Sequence, residues 1–154
     1  MAISQAMCTS FKVEILDGIH AFGTTVVRAA TTADTFKIAL YTSSATLSAS
    51  TTAYTTSNEC PSTGNYTAGG NSLTVSVTPT NTGNVAYVSF ANTSWTNATI
   101  TANGAMIYNS TAGKSNACVA VLAFGGDKTS TNGTFAVNFP TADATSAIIR
   151  LTAS

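Results

Sequence analysis

Between Cys118 and Phe124 the chain reads Cys-Val-Ala-Val-Leu-Ala-Phe, and both alternating sets are apolar. Cys118, Ala120, Leu122 and Phe124 fall on one side, with Val119, Val121 and Ala123 on the other. An extended segment of this kind holds its shape only where both faces are covered. Each large side chain removed from water contributes roughly 1.5–3 kcal/mol, so this stretch is predicted to lie in the middle of a sandwich. The preceding run from Gly104 sets Ala105, Ile107 and Asn109 against Met106 and Tyr108. Ser110 to Asn116 supplies the Gly, Asn, Ser and Lys expected where a chain reverses in water, so the two runs read as a central hairpin.

The remaining periodicity is mostly two-residue. Asp34 to Thr42 puts Phe36, Ile38 and Leu40 on one face, and Ser72 to Thr78 does the same with Leu73, Val75 and Val77. Asn81-Thr82-Gly83 is predicted to turn that strand into Asn84 to Phe90. Thr24 to Ala30, Thr134 to Phe139 and Ser146 to Leu151 read as further strands. Asn103-Gly104 is expected to turn the chain into the central hairpin, and Gly125-Gly126 to end it. Ser43 to Gly70 shows little periodicity and is expected to be a long surface loop, of the kind that often carries binding function.

The exception is the N-terminus. Ile3, Met7, Phe11, Ile15, Leu16, Ile19 and Phe22 recur mostly at three- and four-residue intervals, which suits an amphipathic helix from about Ser4 to Ile19. The local run Phe11, Val13, Ile15 also fits a strand. The expected organisation is an N-terminal amphipathic segment over 1–22, acting as an arm or packed as a helix, followed by a β domain over 23–154. About eight strands at short spacing, with no helices between them for parallel crossovers, predict an all-β antiparallel sandwich, jelly-roll-like.

At 154 residues the chain is long enough for one domain with a substantial core. Only 8% of its residues are charged, so its polar surface must be built from Thr, Ser, Asn and Gly. The formal net charge is zero and the six basic residues are scattered, which argues against nucleic acid as a partner. No apolar run approaches the roughly 20 residues needed to span a bilayer, and Met1 to Thr9 lacks the pattern of a signal peptide, so synthesis in a cytoplasm is expected. Near-neutrality permits close association between copies.

Reactive constellations are sparse. His20 is the single histidine, and no Gly-x-Ser-x-Gly turn offers it a nucleophile. It is expected to pack its ring and satisfy its nitrogen on backbone. Gly125 to Ser130, Gly-Gly-Asp-Lys-Thr-Ser, lacks the spacing and the following helix of a phosphate loop, and it is too poor in carboxylates for calcium. Three cysteines exclude a fully paired internal framework. Cys118 reads as a core residue, Cys8 precedes the amphipathic segment, and Cys60 stands beside Pro61 in a loop; no metal site is expected. These features predict a non-enzymatic protein with no cofactor. Tyr54, Tyr66 and Trp95 are the aromatic candidates for loop binding, with burial at the core edge as the ordinary alternative.

Several phrases in order resemble a family of small tailed-bacteriophage virion proteins. They are Phe11-Lys-Val-Glu-Ile-Leu-Asp-Gly-Ile-His-Ala-Phe22, Asp34-Thr-Phe-Lys-Ile-Ala-Leu-Tyr-Thr42, Tyr66-Thr-Ala-Gly-Gly70, Ser94-Trp-Thr-Asn-Ala-Thr99 and Ala142-Asp-Ala-Thr-Ser-Ala-Ile-Ile-Arg150. The resemblance runs over nearly the whole chain and departs from the family pattern around Asn58 to Asn65. It implies a capsid cement or head-decoration protein on the outer capsid surface of a virion, made in the host bacterial cytoplasm. The implied partners are the major capsid protein and other copies of itself, as a dimer or trimer. Phe11, Leu16, Ile19 and Phe22 are the expected capsid or oligomer contacts. The alternative is a tail or fibre module whose Tyr54, Tyr66 and Trp95 meet a host glycan or a neighbouring tail protein.

Overall fold

The computed structural model describes residues 3–8, 15, 19–24, 32–83 and 85–152. The strands are β1 (Ala6–Met7), β2 (Phe36–Tyr41), β3 (Asn71–Leu73), β4 (Val75–Thr82), β5 (Val85–Phe90), β6 (Thr93–Asn109), β7 (Cys118–Val137) and β8 (Ile149–Thr152). They form two antiparallel sheets: β1-β7-β6-β2-β3, and β4-β5-β8. The predicted antiparallel all-β class is what the chain adopts.

The chain passes between the sheets at Thr74, at Ala91-Asn92 and after Val137. These crossings are tied to one another. The Ala91 amide donates to the Thr74 carbonyl at 2.8 Å, and the Phe139 amide donates to the Asn92 side-chain oxygen at 2.7 Å. Packing joins the sheets as well: Phe36 of β2 lies 5.7 Å from Phe90 of β5, ring centre to ring centre, and Phe22 stacks on Phe36 at 4.5 Å. One buried cluster includes side chains from both.

The doubly apolar stretch is buried inside the larger sheet, as its alternation predicts. Cys118, Val119 and Val121 are fully buried in β7, between β1 on one flank and β6 on the other. Ala105, Met106 and Ile107 of β6 are equally buried, and Ile107 sits opposite both Ile38 of β2 and Ala120 of β7.

The long polar stretches around that hairpin are the first correction. Asn103-Gly104 makes no turn, since β6 runs unbroken from Thr93 to Asn109. Nor do Gly125 and Gly126 end the hairpin, because β7 continues to Val137 and includes the predicted separate strand from Thr134. Gly104 answers to close packing instead: a Cβ there would overlap the Leu122 carbonyl and the Ile3 side chain. Gly125 and Gly126, both at positive φ, form a bulge. Ala102 faces Lys128 while Gly104 faces Ala123, so Phe124 to Asp127 stand opposite Asn103 alone. Asn103 closes the bulge by donating from Nδ2 to Asp127 Oδ1 at 2.8 Å.

The second correction concerns the N-terminus. The helix expected over Ser4 to Ile19 is not seen as such among the described residues: Ala6 and Met7 are extended and pair with Val121 and Ala120, and Ile15 alone is helical. The edge of a central strand offers backbone partners that outweigh the helical spacing of the side chains. Residues 9–14 and 16–18 lie outside the described residues, as does most of the predicted strand Thr24 to Ala30. Ile3, Cys8 and Phe22 belong to the same core as the strands.

Candidate interaction surface

Of the expected contact residues, Phe11 and Leu16 lie outside the described residues. Ile19 is half-buried and borders a shallow cleft with Thr52, Ala53, Lys114 and Ala117. Phe22 is a core residue, stacked on Phe36 and 6.3 Å from Phe90. Of this set, the two described residues thus differ in setting, Ile19 at a surface cleft and Phe22 in the core.

Residues 43–70, expected as a surface loop, are pinned to the larger sheet through Glu59. Its Oε2 accepts from the Tyr54 hydroxyl at 2.6 Å, and its Oε1 accepts from the Tyr66 hydroxyl at 2.9 Å and the Gly69 amide at 2.6 Å. Tyr66 oxygen accepts in turn from the Leu40 amide of β2 at 2.9 Å. Tyr108 of β6 donates to the Gly69 carbonyl at 2.7 Å, its ring stacked on Tyr54 with centres 4.6 Å apart. Tyr41 donates to the Thr55 carbonyl at 2.5 Å. The next residue after Gly69 completes the fit, since a Cβ on Gly70 would overlap the Ile38 carbonyl.

This network settles where the loop aromatics lie. Tyr66 and Trp95 are each 1% exposed and meet edge to face at 5.4 Å, while Tyr54 is half-buried against Tyr108. Neither Tyr66 nor Trp95 presents an open ring as a stacking platform. Burial, and then the Glu59 carboxylate, pushes the Tyr108 phenol up to about 12; burial likewise raises Tyr41, Tyr54 and Tyr66. Cys60, buried with its thiol 3.4 Å from the Thr101 carbonyl, is pushed up to about 11 by burial first and Glu59 second. A thiol so placed is a poor nucleophile.

A second polar cluster was not visible in the sequence. His20, Asp34 and Asn109 come together from three distant segments, all buried. Asn109 Nδ2 donates to Asp34 Oδ2 at 2.8 Å and lies 3.0 Å from His20 Nδ1. Asp34 Oδ2 also accepts from the Ala21 amide at 3.1 Å, and Asn109 Oδ1 from the Thr111 amide at 3.0 Å. His20 Nδ1 thus meets the side-chain amide of Asn109. Only the face of Asn109 was legible; its partners are 75 and 89 residues away. The cluster fastens the segment 19–24 to the end of β6.

Beside it lies an apolar groove of about 200 Å³ bordered by Ile15, His20, Phe22, Pro79, Ala86, Tyr87, Val88, Ile149 and Leu151. Leu151, 41% exposed on β8, is the exposed large hydrophobic among the described residues. The N-terminal segment and the smaller sheet share this groove, which makes it the candidate contact surface. Among the described residues no group of three or more His, Cys, Asp or Glu side chains could hold a metal, and no helix is long and apolar enough to cross a membrane. In comparisons with known proteins, no family model, no curated protein and no solved structure matches the chain.

Proposed function

We propose that this chain is a non-enzymatic bacteriophage virion protein, a cement or head-decoration protein. In this reading it sits on the outer capsid surface and ties adjacent major capsid subunits together. The two sheets are read as a jelly-roll-like sandwich, with other copies of the chain as neighbours in a dimer or trimer. The resemblance of the phrases spread from Phe11 to Arg150 supports the family.

The observation that carries the role is where the carboxylates go. Glu59 and Asp34 each bind a loop or terminal segment to the larger sheet through several short hydrogen bonds. Polar chemistry in this molecule makes a stiff body, as a clip across a capsid joint requires. A shell under pressure from packaged DNA opens at its joints, and many symmetry-related clips make modest contacts collectively strong. The groove at Leu151, with the N-terminal segment on its rim, is the contact offered to a neighbour. The tail-module alternative has less support, because Tyr66 and Trp95 are buried.

Copy number in purified particles, by mass spectrometry against the major capsid protein, tests the proposal. A ratio near that of the capsid subunit is expected, with lower capsid stability once the protein is removed. A count of six to a few dozen copies per particle, the order expected of a symmetric tail, would replace the cement reading.

A further inference from the structure

We propose that Cys8 and Cys118 are an intramolecular disulfide site that locks the N-terminal strand onto the centre of the larger sheet. The sulfurs lie 3.0 Å apart, both cysteines fully buried, although 110 residues separate them in sequence. That spacing is closer than non-bonded sulfurs sit in van der Waals contact, so closing to a bond of about 2.0 Å needs only a small movement. The backbone is already aligned. β1 pairs with Val121 and Ala120, and the Cys8 amide points at the Val119 carbonyl at 3.5 Å, one residue from Cys118. Cys60 lies elsewhere, its thiol on the Thr101 carbonyl, so the pairing has one solution among the three cysteines.

Access comes through β1. It is two residues long and lies at the edge of its sheet, so it opens far more readily than the strands inside. With β1 lifted, the Cys8 thiolate attacks a small disulfide oxidant such as oxidised glutathione, releasing one glutathione thiolate and leaving a mixed disulfide. The Cys118 thiolate then attacks Sγ of Cys8 and releases the second glutathione. The two cysteines lose two electrons to the oxidant, and their thiol protons end on the two glutathiones. The bond closes a loop covering most of the chain, which is where a cross-link restricts the unfolded state most.

The test uses the full chain, incubated with oxidised glutathione or with dithiothreitol, then denatured and alkylated. The reduced protein is expected to take three alkyl groups and the oxidised protein one, at Cys60, with a Cys8–Cys118 linked peptide after digestion. Oxidation is expected to raise Tm by about 10 °C, from the loop length and a domain of this size. The Cys8→Ala variant should lose that rise. Should that variant fail to fold, Cys60→Ala keeps the question open to refutation, because it must still form the linked peptide and gain the same Tm. Three alkyl groups after oxidation, a linkage through Cys60, or a dimer held by disulfide would overturn the proposal.

Discussion

The β6–β7 ladder contains two regions built from the same pair of strands. In the first, Gly104 to Asn109 lies against Cys118 to Ala123, with β2 and β1 on the flanks and nearly every side chain buried. In the second, Thr93 to Asn103 lies against Phe124 to Val137, and burial alternates. Trp95, Ala98, Ile100, Ala102, Phe135 and Val137 point inward, while Thr99, Thr101, Thr129 and Thr131 are exposed. Backbone pairing is common to both, so it cannot be what separates them. The difference lies in what covers the faces, and stability should follow apolar cover rather than ladder length.

The largest expected contrast comes from truncating one side chain in the first region. Ile107→Ala removes a fully buried side chain packed between β2 and β7, and is expected to cost about 4 kcal/mol. Guanidinium unfolding should show the midpoint fall at nearly constant slope. A cost under 1 kcal/mol would erase the distinction between the regions. Gly104→Ala comes next, at about 3 kcal/mol: the Ile3 side chain can turn aside, but the Leu122 carbonyl belongs to the ladder and cannot.

How much of this could be read from the chain follows the same division. The first region was legible, because Val119, Val121 and Leu122 declare two covered faces by their alternation alone. The second is less legible: Thr, Asn and Ser fill both a solvent-facing strand and a turn, and Gly125-Gly126 makes a bulge look like the end of one strand, with Thr134 to Phe139 as another. Asn103-Gly104 misled for a related reason: a glycine required by a neighbour's carbonyl has the same letter as one required by a turn. At the candidate site, Phe22 and Ile149 carried a readable apolar signal. The Glu59 and Asp34 networks did not, since a carboxylate's partners depend on which distant segments the fold brings near it.

Glu59 links the two regions, since Tyr108 of the first and the Tyr66–Trp95 pair of the second both meet the loop it holds. Glu59→Gln leaves an amide where three donors converge, and about 2 kcal/mol should be lost. Alkaline pH probes the same junction from the tyrosine side. Tyr108 ionises in the folded protein only at about 12 and Cys60 only at about 11, above their ordinary values of 10.0 and 9.0. The unfolded chain therefore releases these protons first. Their contribution is complete below pH 9 and is lost as pH rises through 11 and 12, so stability should fall over that window. Tyr108→Phe should make the fall shallower, and a stability curve level to pH 12 would show these groups open to water.

The smallest effect is expected on the exposed face of the second region, and it is the sharpest check on the comparison. Thr101 and Thr129 stand opposite each other, their hydroxyls 3.2 Å apart and both residues exposed. Thr101→Val keeps the branched Cβ that suits a strand and removes only a hydroxyl that water replaces on its partner. The change should stay within about 0.5 kcal/mol of zero. The Thr101 carbonyl that receives the Cys60 thiol is untouched, so the backbone of β6 has no reason to shift. Measured at two protein concentrations tenfold apart, the value should not move. A cost that grows with concentration would mean that a second copy covers this face, and the second region would then owe its stability to apolar and polar cover supplied from outside the chain.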